Sequence, residues 1–307
     1  MKYVSSLLLL SLFVLLIYWW MGEKSPELVW TMVNVNNNKA QGDAHLIQIP
    51  GGETVLIDAG YAGPAKDQLL PFLEKNQIKR LDRVFISHAH KDHYEGLKIL
   101  IEAGIAMDQA FFNLPRQVIC DKEKPWGCDY TDILKVHEQL KKHGTRLKIA
   151  EAGQQFDLGG GISLKILYAY DGVETPIGQT DINDTSLIMM LTHQDHKFLF
   201  AGDLNTRIGK YLAEHGEGLQ AEVLKVPHHG TAGIAPNEFF EKVSPKYALV
   251  PGPRELWCSK RSSEPRNWFA EQNIPVFVNG FSGNVRVEIL GSQLQIIPEK
   301  KAGELCS

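Results

Sequence analysis

The residues best suited to chemistry are three histidines and one aspartate within six consecutive positions: His88, His90, Asp92 and His93. Imidazole and carboxylate groups are the ligands that borderline divalent metal ions prefer in proteins. The spacing of two directs His88 and His90 to the same side of an extended segment, and Asp92 and His93 can face a second ion nearby. A polar loop without a ligand is the alternative, but burying four unpaired polar groups is costly. Two neighbouring ions suit hydrolysis, because one lowers the pKa of a bound water and both stabilise charge on oxygen atoms.

The elements around this motif place it between a strand and a helix. Residues 83–86 are β-branched and aromatic and predict a strand, while residues 95–102 predict a helix. Further strands are predicted at 31–35, 44–49, 54–57, 110–113, 147–150, 156–158, 162–167, 186–191, 197–201, 221–226, 247–250, 276–278, 285–290 and 294–297. Further helices are predicted at 64–76, 129–144, 206–215, 237–243 and 267–272. The strands come in two groups, each followed by helices, which indicates an α/β protein with two sheets.

Two later strands also end directly before residues that can bind metals. One apolar run is followed at once by Asp203, and another by His228 and His229. Asp203 could instead cap the helix that is predicted from Thr206. Asp58 follows an earlier strand in the same way, and we expect it to brace the metal loop rather than to bind an ion.

The sequence His-x-His-x-Asp-His after a strand resembles the signature of the metallo-β-lactamase superfamily. More specific likeness is to the hydrolase domain of ComEC-type DNA-uptake proteins, and it is carried, in the same order, by residues 41–47 with 55–60, 183–188, 198–203 and 224–231. The likeness extends from Thr31 to Ile297. It implies a four-layer αββα sandwich, in which two sheets face each other, helices lie outside and the site forms where the sheet edges meet.

The resemblance also implies roles for individual residues. It implies that Asp203 bridges two metal ions and that His228 binds the second, while His229 is a general acid, a phosphate contact or a structural residue. Many members have a histidine where this chain has Asn183 and Asp184. Asp184 is therefore expected as the remaining ligand, with Asn183 second, unless this segment is a turn that opens the next strand. The predicted metal ligands are His88, His90, Asp92, His93, Asp184, Asp203 and His228, the predicted catalytic residues are Asp92 and His229, and the expected cofactors are two divalent ions, zinc or manganese.

These features predict a metal-dependent hydrolase, and the resemblance favours a phosphodiesterase or nuclease with a phosphodiester, such as DNA, as substrate. In this hypothesis water activated by the ions attacks phosphorus, Asp92 orients that water, and His229 assists the leaving group. Basic residues at 254–266 bind phosphate if their loop reaches the site, and otherwise form a solvated basic loop. The alternatives are a lactonase or lactamase-type hydrolase, and a non-catalytic envelope factor that retains the fold.

The N-terminal segment differs in composition from the rest of the chain. Residues Tyr3 to Gly22 are uncharged and mostly apolar, and as a helix they would span about 30 Å, one bilayer core. We expect a retained membrane anchor with the hydrolase domain in the periplasm or outside the cell; secretion after signal cleavage is the alternative. The predicted parts are an anchor at 1–22, a linker at 23–29, a hydrolase domain at 30–298 and a tail at 299–307. The net charge of −4 argues against a strongly basic nucleic-acid coat.

The four cysteines fit a translocated protein. Cys120 and Cys128 bracket a short loop that a disulfide would close easily, and Cys258 and Cys306 could then pair and fasten the C-terminal tail. Unpaired thiols are the alternative, most of all for the second pair. The spacing is not that of a zinc ribbon, so the cysteines are not expected to be metal ligands.

Overall fold

The computed structural model describes residues 25–37, 40–123, 127–170, 181–231, 233, 235–301 and 306 of the chain. The predicted anchor, Tyr3 to Gly22, lies outside these residues. Among the described helices, none is both long enough and apolar enough to cross a membrane. The division into anchor, linker, hydrolase domain and tail stays a prediction.

Two sheets form the centre of the described chain. Their strands are β1 Leu28–Met32, β2 His45–Gln48, β3 Thr54–Ile57, β4 Arg80–Ile86, β5 Ala106–Phe112, β6 Arg146–Lys148, β7 Gln155–Gly159, β8 Ile162–Tyr168, β9 Ile188–His193, β10 His196–Phe200, β11 Val223–Lys225, β12 Tyr247–Val250, β13 Val276–Val278, β14 Val285–Leu290 and β15 Gln293–Pro298. The first sheet has the order β15-β14-β1-β2-β3-β4-β5-β6, and the second has the order β13-β12-β11-β10-β9-β8-β7.

Helices connect and cover these strands. Helix α1 begins as Ala62–Pro64, continues through the π-helical segment Ala65–Leu69 and ends as Leu70–Lys75. The following helices are α2 Lys91–Tyr94, α3 Gly96–Glu102, α4 Gln117–Lys122, α5 Tyr130–Lys142, α6 Thr206–His215, α7 Asn237–Val243, α8 Arg254–Trp257, α9 Ser263–Glu271 and α10 Asn279–Ser282. Short 3₁₀ segments lie at Asn183–Thr185, Pro227–Gly230 and Lys260–Ser262.

Three apolar layers hold the sheets and helices together. The central layer lies between the two sheets and includes Trp30, Phe85 and Phe200; the ring centres of Trp30 and Phe200 are 4.6 Å apart. A second layer, which includes Leu97, packs helices against the first sheet, and a third, which includes Phe240, packs helices against the second sheet. Each large side chain buried in this way contributes about 1.5–3 kcal/mol. The predicted four-layer αββα sandwich is therefore confirmed.

Parallel pairing gathers the ends of the site-bearing strands. In the first sheet β3 and β4 are parallel, with Leu56 opposite Val84. In the second sheet β10, β11 and β12 are parallel, with Leu224 opposite both Leu199 and Ala248. The carboxyl ends of parallel strands share one edge of a sheet, and ligands of α/β proteins bind outside that edge. The segments after these five strands therefore lie close together.

Some element boundaries differ from the prediction. β1 spans Leu28–Met32 rather than 31–35, because it pairs with β14 from Leu28 onward. The sequence did not predict α4, since six residues are too few to show a helical period. Helix α9 begins at Ser263 rather than 267, because proline is tolerated in the first turn of a helix and Pro265 lies there.

Both predicted disulfides are present. Cys120 and Cys128 are joined with their Cα atoms 5.1 Å apart, and Cys258 and Cys306 are joined with theirs 5.2 Å apart. The alternative of unpaired thiols is therefore excluded for these four residues. The first bridge closes the loop after α4, and the second ties the C-terminal tail to the segment after α8.

The hairpin between β9 and β10 carries two histidines. His193 is 4% exposed, with Nε2 2.8 Å from Oε2 of Glu27. His196 is half-buried, with Nδ1 2.6 Å from Oε2 of Glu222. Each imidazole faces a carboxylate from another part of the chain, a contact that local sequence does not reveal.

Candidate metal centre

Asp58 fixes the loop that carries the first four ligand-type residues. Its backbone is left-handed, with φ 60°, a conformation uncommon outside glycine. Its carboxylate accepts hydrogen bonds from the backbone N–H and the hydroxyl of Ser87, both at 2.7 Å, and from Nδ1 of His93 at 2.8 Å. Asp58 thus braces the loop as predicted, and in the neutral ring a proton on Nδ1 leaves Nε2 of His93 with its lone pair.

His88 and His90 lie side by side at the start of this loop. Nε2 of His88 is 3.1 Å from Nδ1 of His90, and the ring centres are 4.7 Å apart. Two nitrogen ligands of a tetrahedral zinc ion are about 3.3 Å apart, because each metal–nitrogen bond is about 2.05 Å. The pair has the separation of two ligands on one ion, in keeping with the spacing of two in the sequence.

Asp203 lies at the centre of the cluster. Its backbone N–H donates to the hydroxyl of Ser186 at 2.9 Å, which fixes the turn after β10. Its Oδ2 atom is 3.2 Å from Nε2 of His93 and 3.2 Å from Nε2 of His229. The same oxygen is 4.0 Å from Nε2 of His88. One carboxylate therefore faces both groups of histidines, the position that a bridging ligand needs.

The Pro227–Gly230 turn determines which of two adjacent histidines enters the cluster. His228 and His229 both have left-handed backbones, with φ 50° and 53°, and Gly230 follows with φ 72°. Three successive residues in this region are rare and cluster at functional sites. Nδ1 of His229 donates to the carbonyl of Pro251 at 2.9 Å, so a neutral ring presents the lone pair of Nε2 to the cluster.

His229 occupies the position that the sequence assigned to His228. Nε2 of His229 is 3.2 Å from Oδ2 of Asp92 and 3.2 Å from Oδ2 of Asp203. His228 is half-buried, and its Nδ1 makes no hydrogen bond with the described residues. The structure thus reverses the two predicted positions, because the left-handed turn directs the second imidazole inward.

The structure does not bring Asp184 to this cluster, which corrects its predicted role as a ligand. Asp184 lies in the Asn183–Thr185 segment and is 1% exposed. Its carboxylate faces Asp181 and Arg207, and it forms a backbone hydrogen bond with Ile208 near the start of α6. Burial and the negative charge of Asp181 raise the pKa of Asp184 to about 7. This side chain joins the 3₁₀ segment to α6.

A buried ion pair that the sequence did not predict adjoins the cluster. Lys225 in β11 is 1% exposed, and its ammonium contacts the carboxylate of Asp43. The ammonium also donates to the carbonyl of Gly202 at 2.6 Å and lies 3.4 Å from Oδ1 of Asp203. A lysine inside an apolar strand was the available signal, since a buried ammonium needs carboxylate partners.

Asp43 is a further acidic residue at the cluster. Ligand atoms of Asp43, His93, Asp203 and His229 all lie within 4.8 Å of one another. The ammonium of Lys225 already contacts the Asp43 carboxylate, and Oδ1 of Asp43 is 3.1 Å from Nδ1 of His229, the nitrogen on the far side of that ring. Asp43 is thus placed to orient His229 rather than to bind an ion with it.

The carboxylates and imidazoles of the cluster shift one another's pKa. Burial would raise the pKa of Asp203, but His229, His93 and Lys225 hold it well below its usual range. Burial would lower the pKa of His93, but Asp203 and other carboxylates outweigh burial and hold that pKa well above its usual range. Burial, with His93 and His90 nearby, holds the pKa of His88 well below its usual range. The site therefore contains ionised carboxylates and at least one neutral imidazole.

The residues present fit two divalent ions. Nε2 of His93 and Nε2 of His229 are buried and make no hydrogen bond within the described residues, although each faces a carboxylate oxygen of Asp203 at 3.2 Å. Imidazole and carboxylate donors suit zinc or manganese. The donors form a first group of His88, His90 and Asp203, and a second group of Asp92, His93, His229 and Asp203.

The loop after β12 approaches the cluster through its backbone. The carbonyl of Pro251 is the acceptor for His229 described above. Arg266 donates to the carbonyl oxygen of Trp257, and the guanidinium of Arg254 lies 5.1 Å from the ring centre of Phe281. Arg254 and Arg266 therefore have structural contacts. Phosphate binding by this loop stays a prediction for Lys260 and Arg261, which are exposed.

The αββα sandwich, with a cluster of histidines and aspartates at the carboxyl ends of its parallel strands, defines a class: the metallo-β-lactamase fold. The family model described as the metallo-β-lactamase superfamily matches residues 38–107 of this chain. That segment contains the His88 to His93 motif, and the resemblance drawn from the sequence is confirmed.

Two relatives match this chain, and one of them is a competence protein by name. ComE operon protein 3 of Bacillus subtilis (strain 168) is 23% identical over 186 residues, which is 59% of this chain and 21% of the relative. Competence protein ComA of Neisseria gonorrhoeae is 26% identical over 203 residues, which is 64% of this chain and 23% of the relative. The chain spans about a fifth of the length of each relative.

Similar solved structures show the same fold. The metallo-β-lactamase fold protein YhfI from Bacillus subtilis has a TM-score of 0.50 and 14% identity, and the match covers 81% of this chain and 96% of YhfI. A variant of the β-hydroxylase CmlA has a TM-score of 0.52 and 13% identity, with 87% of this chain and 55% of that protein covered. At these identities the likeness defines the fold alone.

Proposed function

We propose that this chain is a metal-dependent hydrolase that cleaves phosphodiester bonds. One observation carries the proposal: histidines and aspartates from three separate strand ends converge in one buried cluster with donor atoms 3.1–3.2 Å apart. In this proposal the first ion is held by His88, His90 and Asp203, and the second by Asp92, His93, Asp203 and His229.

Two bound divalent ions would supply an acidified water and positive charge for the oxygens of the reacting phosphate. The chain's own residues would place the reactants. Asp92, whose Oδ2 atom is 3.2 Å from Nε2 of His229, would orient a water molecule at the second group of ligands. Asp58 and Asp43 would hold the rings of His93 and His229 from their far nitrogens.

The structure also changes which histidine we propose for proton transfer. His229 faces two carboxylates within the second group, so it is committed to the ion. His228 is half-buried beside it, and its Nδ1 makes no hydrogen bond within the described part of the chain. We therefore assign to His228 the contact with the leaving group that was predicted for His229.

The substrate class rests on the relatives. One of the named relatives is a competence protein by name, and the segments that resemble the hydrolase domain of ComEC-type DNA-uptake proteins are the segments that build this cluster. DNA is accordingly the first substrate to test. The two disulfides suit an oxidising compartment, which supports the proposal that the domain lies in the periplasm or outside the cell, anchored by its N-terminal segment.

The proposal is tested with the purified full chain and added Mn²⁺ or Zn²⁺. The substrates are DNA, RNA and bis-nitrophenyl phosphate, with a lactone and a β-lactam in parallel. We expect hydrolysis of a phosphodiester, and we expect Asp203→Asn to reduce it by more than the about 10–100-fold that loss of an indirect contact costs. Asp195→Asn, in an exposed hairpin turn, is the matched control and should retain full activity.

Two results would contradict the proposal. Hydrolysis of the lactone or β-lactam alone would move the chain to the other substrate class. Equal phosphodiesterase activity in the unmodified chain and in Asp203→Asn would show that the cluster is not the catalytic centre.

A further inference from the structure

The loop closed by the Cys120–Cys128 disulfide delivers a carboxylate to the first group of ligands. Glu123 follows α4 in this loop, and its Oε2 atom is 2.6 Å from Nε2 of His90. Its other oxygen, Oε1, accepts the backbone N–H of Ile182 at 2.7 Å. Both oxygens of Glu123 are thus engaged, one by an expected metal ligand and one by the backbone.

The same loop lies against the His90 ring at a second point. A Cβ atom on Gly127 would be 2.6 Å from Nε2 of His90 and 3.2 Å from Oε2 of Glu123. Real Cβ atoms do not approach other atoms so closely, so a larger residue at this position would have to shift the loop or the His90 ring. The disulfide joins the residues on either side of this contact and holds Glu123 and Gly127 on the same imidazole.

Glu123 also reaches the segment where the family's usual ligand is absent. Ile182 directly precedes Asn183 and Asp184, the place at which many members have a histidine. Glu123 binds the backbone of that segment and the ring of His90 together. Glu123 therefore connects His90, a member of the first group of ligands, to the segment whose Asp184 side chain does not lie in the cluster.

The geometry at His90 is that of a ligand held by an outer carboxylate. Nδ1 of His90 faces Nε2 of His88 at 3.1 Å, so Nδ1 is the nitrogen directed at the first ion, and Nε2–H is left to donate to Glu123. Carboxylates in this position fix the ring and raise its basicity. Asp58 makes the corresponding contact with His93, so the arrangement occurs twice in the site.

We propose that Glu123, held in place by the Cys120–Cys128 disulfide, is the positioning residue that makes His90 a competent ligand for the first metal ion. The inference rests on the proposed metal centre and deepens it. It assigns to the disulfide loop a part in metal binding, in addition to its part in stability.

The test measures binding of Mn²⁺ and Co²⁺ to the metal-free full chain by titration calorimetry, with the Co²⁺ absorption spectrum as a second readout. We expect two ions for the unmodified chain. Glu123→Gln should weaken one of the two by about 10–100-fold, the usual cost of losing such a carboxylate, change the Co²⁺ spectrum and leave the other ion unaffected. Glu222→Gln is the matched control, because Glu222 binds His196 at the same 2.6 Å outside the cluster.

A second variant keeps the inference testable if Glu123→Gln does not fold. Gly127→Ala retains both the carboxylate and the disulfide, but its methyl group must displace the loop from His90. It should cause the same selective loss of one ion. Two-ion binding of unchanged affinity in either folded variant would overturn the role of Glu123 alone, whereas an unmodified chain that binds no ion would overturn the proposed metal centre, and this inference with it.

Discussion

At the scale of single residues, three inward-facing imidazoles, those of His90, His93 and His229, have a carboxylate on the side away from the cluster. Asp58 holds His93 at 2.8 Å, and Asp43 lies 3.1 Å from Nδ1 of His229. A ring held in this way presents one nitrogen in one direction, which limits the conformational freedom lost on binding an ion. The cost is a concentration of negative charge in a buried place, and Lys225 is the fixed cation that offsets it.

Lys225 is therefore expected to be essential for stability. Lys225→Met leaves the carboxylates of Asp43 and Asp203 without their buried cation, and loss of one partner from a buried pair costs about 3–5 kcal/mol. Adding Asp43→Asn should restore part of that free energy of unfolding. The measurement is urea unfolding with a chelator present, so that metal binding does not contribute.

Lys246→Met provides the control for this prediction. Its side chain is 71% exposed and pairs with Glu222 at 3.0 Å, and such surface pairs contribute about 0–1 kcal/mol. An equally small effect of Lys225→Met would show that the buried ammonium is not a structural counter-ion.

At the scale of elements, short turns rather than long helices orient the site. The Pro227–Gly230 turn directs His229 inward, and a Cβ atom on Gly230 would lie 2.7 Å from the Trp257 ring. The Asn183–Thr185 segment holds Ser186 beneath Asp203 and is itself tied to α6 by Asp184.

The contact between Asp184 and α6 predicts a pH dependence. The pKa of Asp184 is about 7 in the folded chain, against 3.8 for an ordinary aspartate. The folded chain therefore keeps a proton that the unfolded chain releases. This contribution to stability is complete below pH 3.8 and is lost as the pH rises through about 7. Between pH 5 and pH 8 the unmodified chain should lose stability relative to Asp184→Asn, which cannot ionise.

Urea unfolding at several pH values checks this prediction. The stability of Asp184→Asn should fall less with rising pH, and Asp195→Asn, in the exposed hairpin turn, should follow the unmodified chain. Parallel curves for all three proteins would mean that Asp184 titrates normally. In that case Asp184 would again be a candidate metal ligand.

At the scale of the whole molecule, two covalent links complement the three apolar layers. The Cys258–Cys306 bridge closes a sequence separation of 48 residues and the Cys120–Cys128 bridge one of 8. Chain-entropy arithmetic gives about 4 kcal/mol for the first and about 2.5 kcal/mol for the second. The Cys258–Cys306 bridge ties the C-terminal tail to the segment after α8. The Cys120–Cys128 bridge lies beside the cluster of histidines and aspartates.

The two bridges should accordingly differ in what their removal changes. Replacing Cys258 and Cys306 by Ser should lower the free energy of unfolding by about 4 kcal/mol, and replacing Cys120 and Cys128 should lower it by about 2.5 kcal/mol. Only the second change should also weaken metal binding, because only that loop carries Glu123. Denaturant unfolding and metal titration on both double variants check this, and equal loss of metal affinity in both would attribute the effect to general destabilisation.

The class of fold and most of the ligand types could be predicted from the sequence alone. Strands that end directly before His88, Asp203 and the 228–229 pair could be recognised locally, because apolar runs and the residues after them are features of short segments. Spacing favoured the Cys120–Cys128 pair, and the even count allowed the Cys258–Cys306 pair but did not require it. These are properties that do not depend on how distant segments are placed.

The tertiary structure was needed to show which neighbouring side chain points inward and which remote residues share the cluster. The left-handed backbone of residues 228–230 determines that His229, rather than His228, faces the cluster. The position of α6 determines where the Asp184 side chain lies. Lys225, Asp43 and Glu123 act on side chains far away in the chain. Such contacts depend on packing in three dimensions, so motif spacing does not identify the partners, although a lysine inside an apolar strand indicates that Lys225 needs a carboxylate partner.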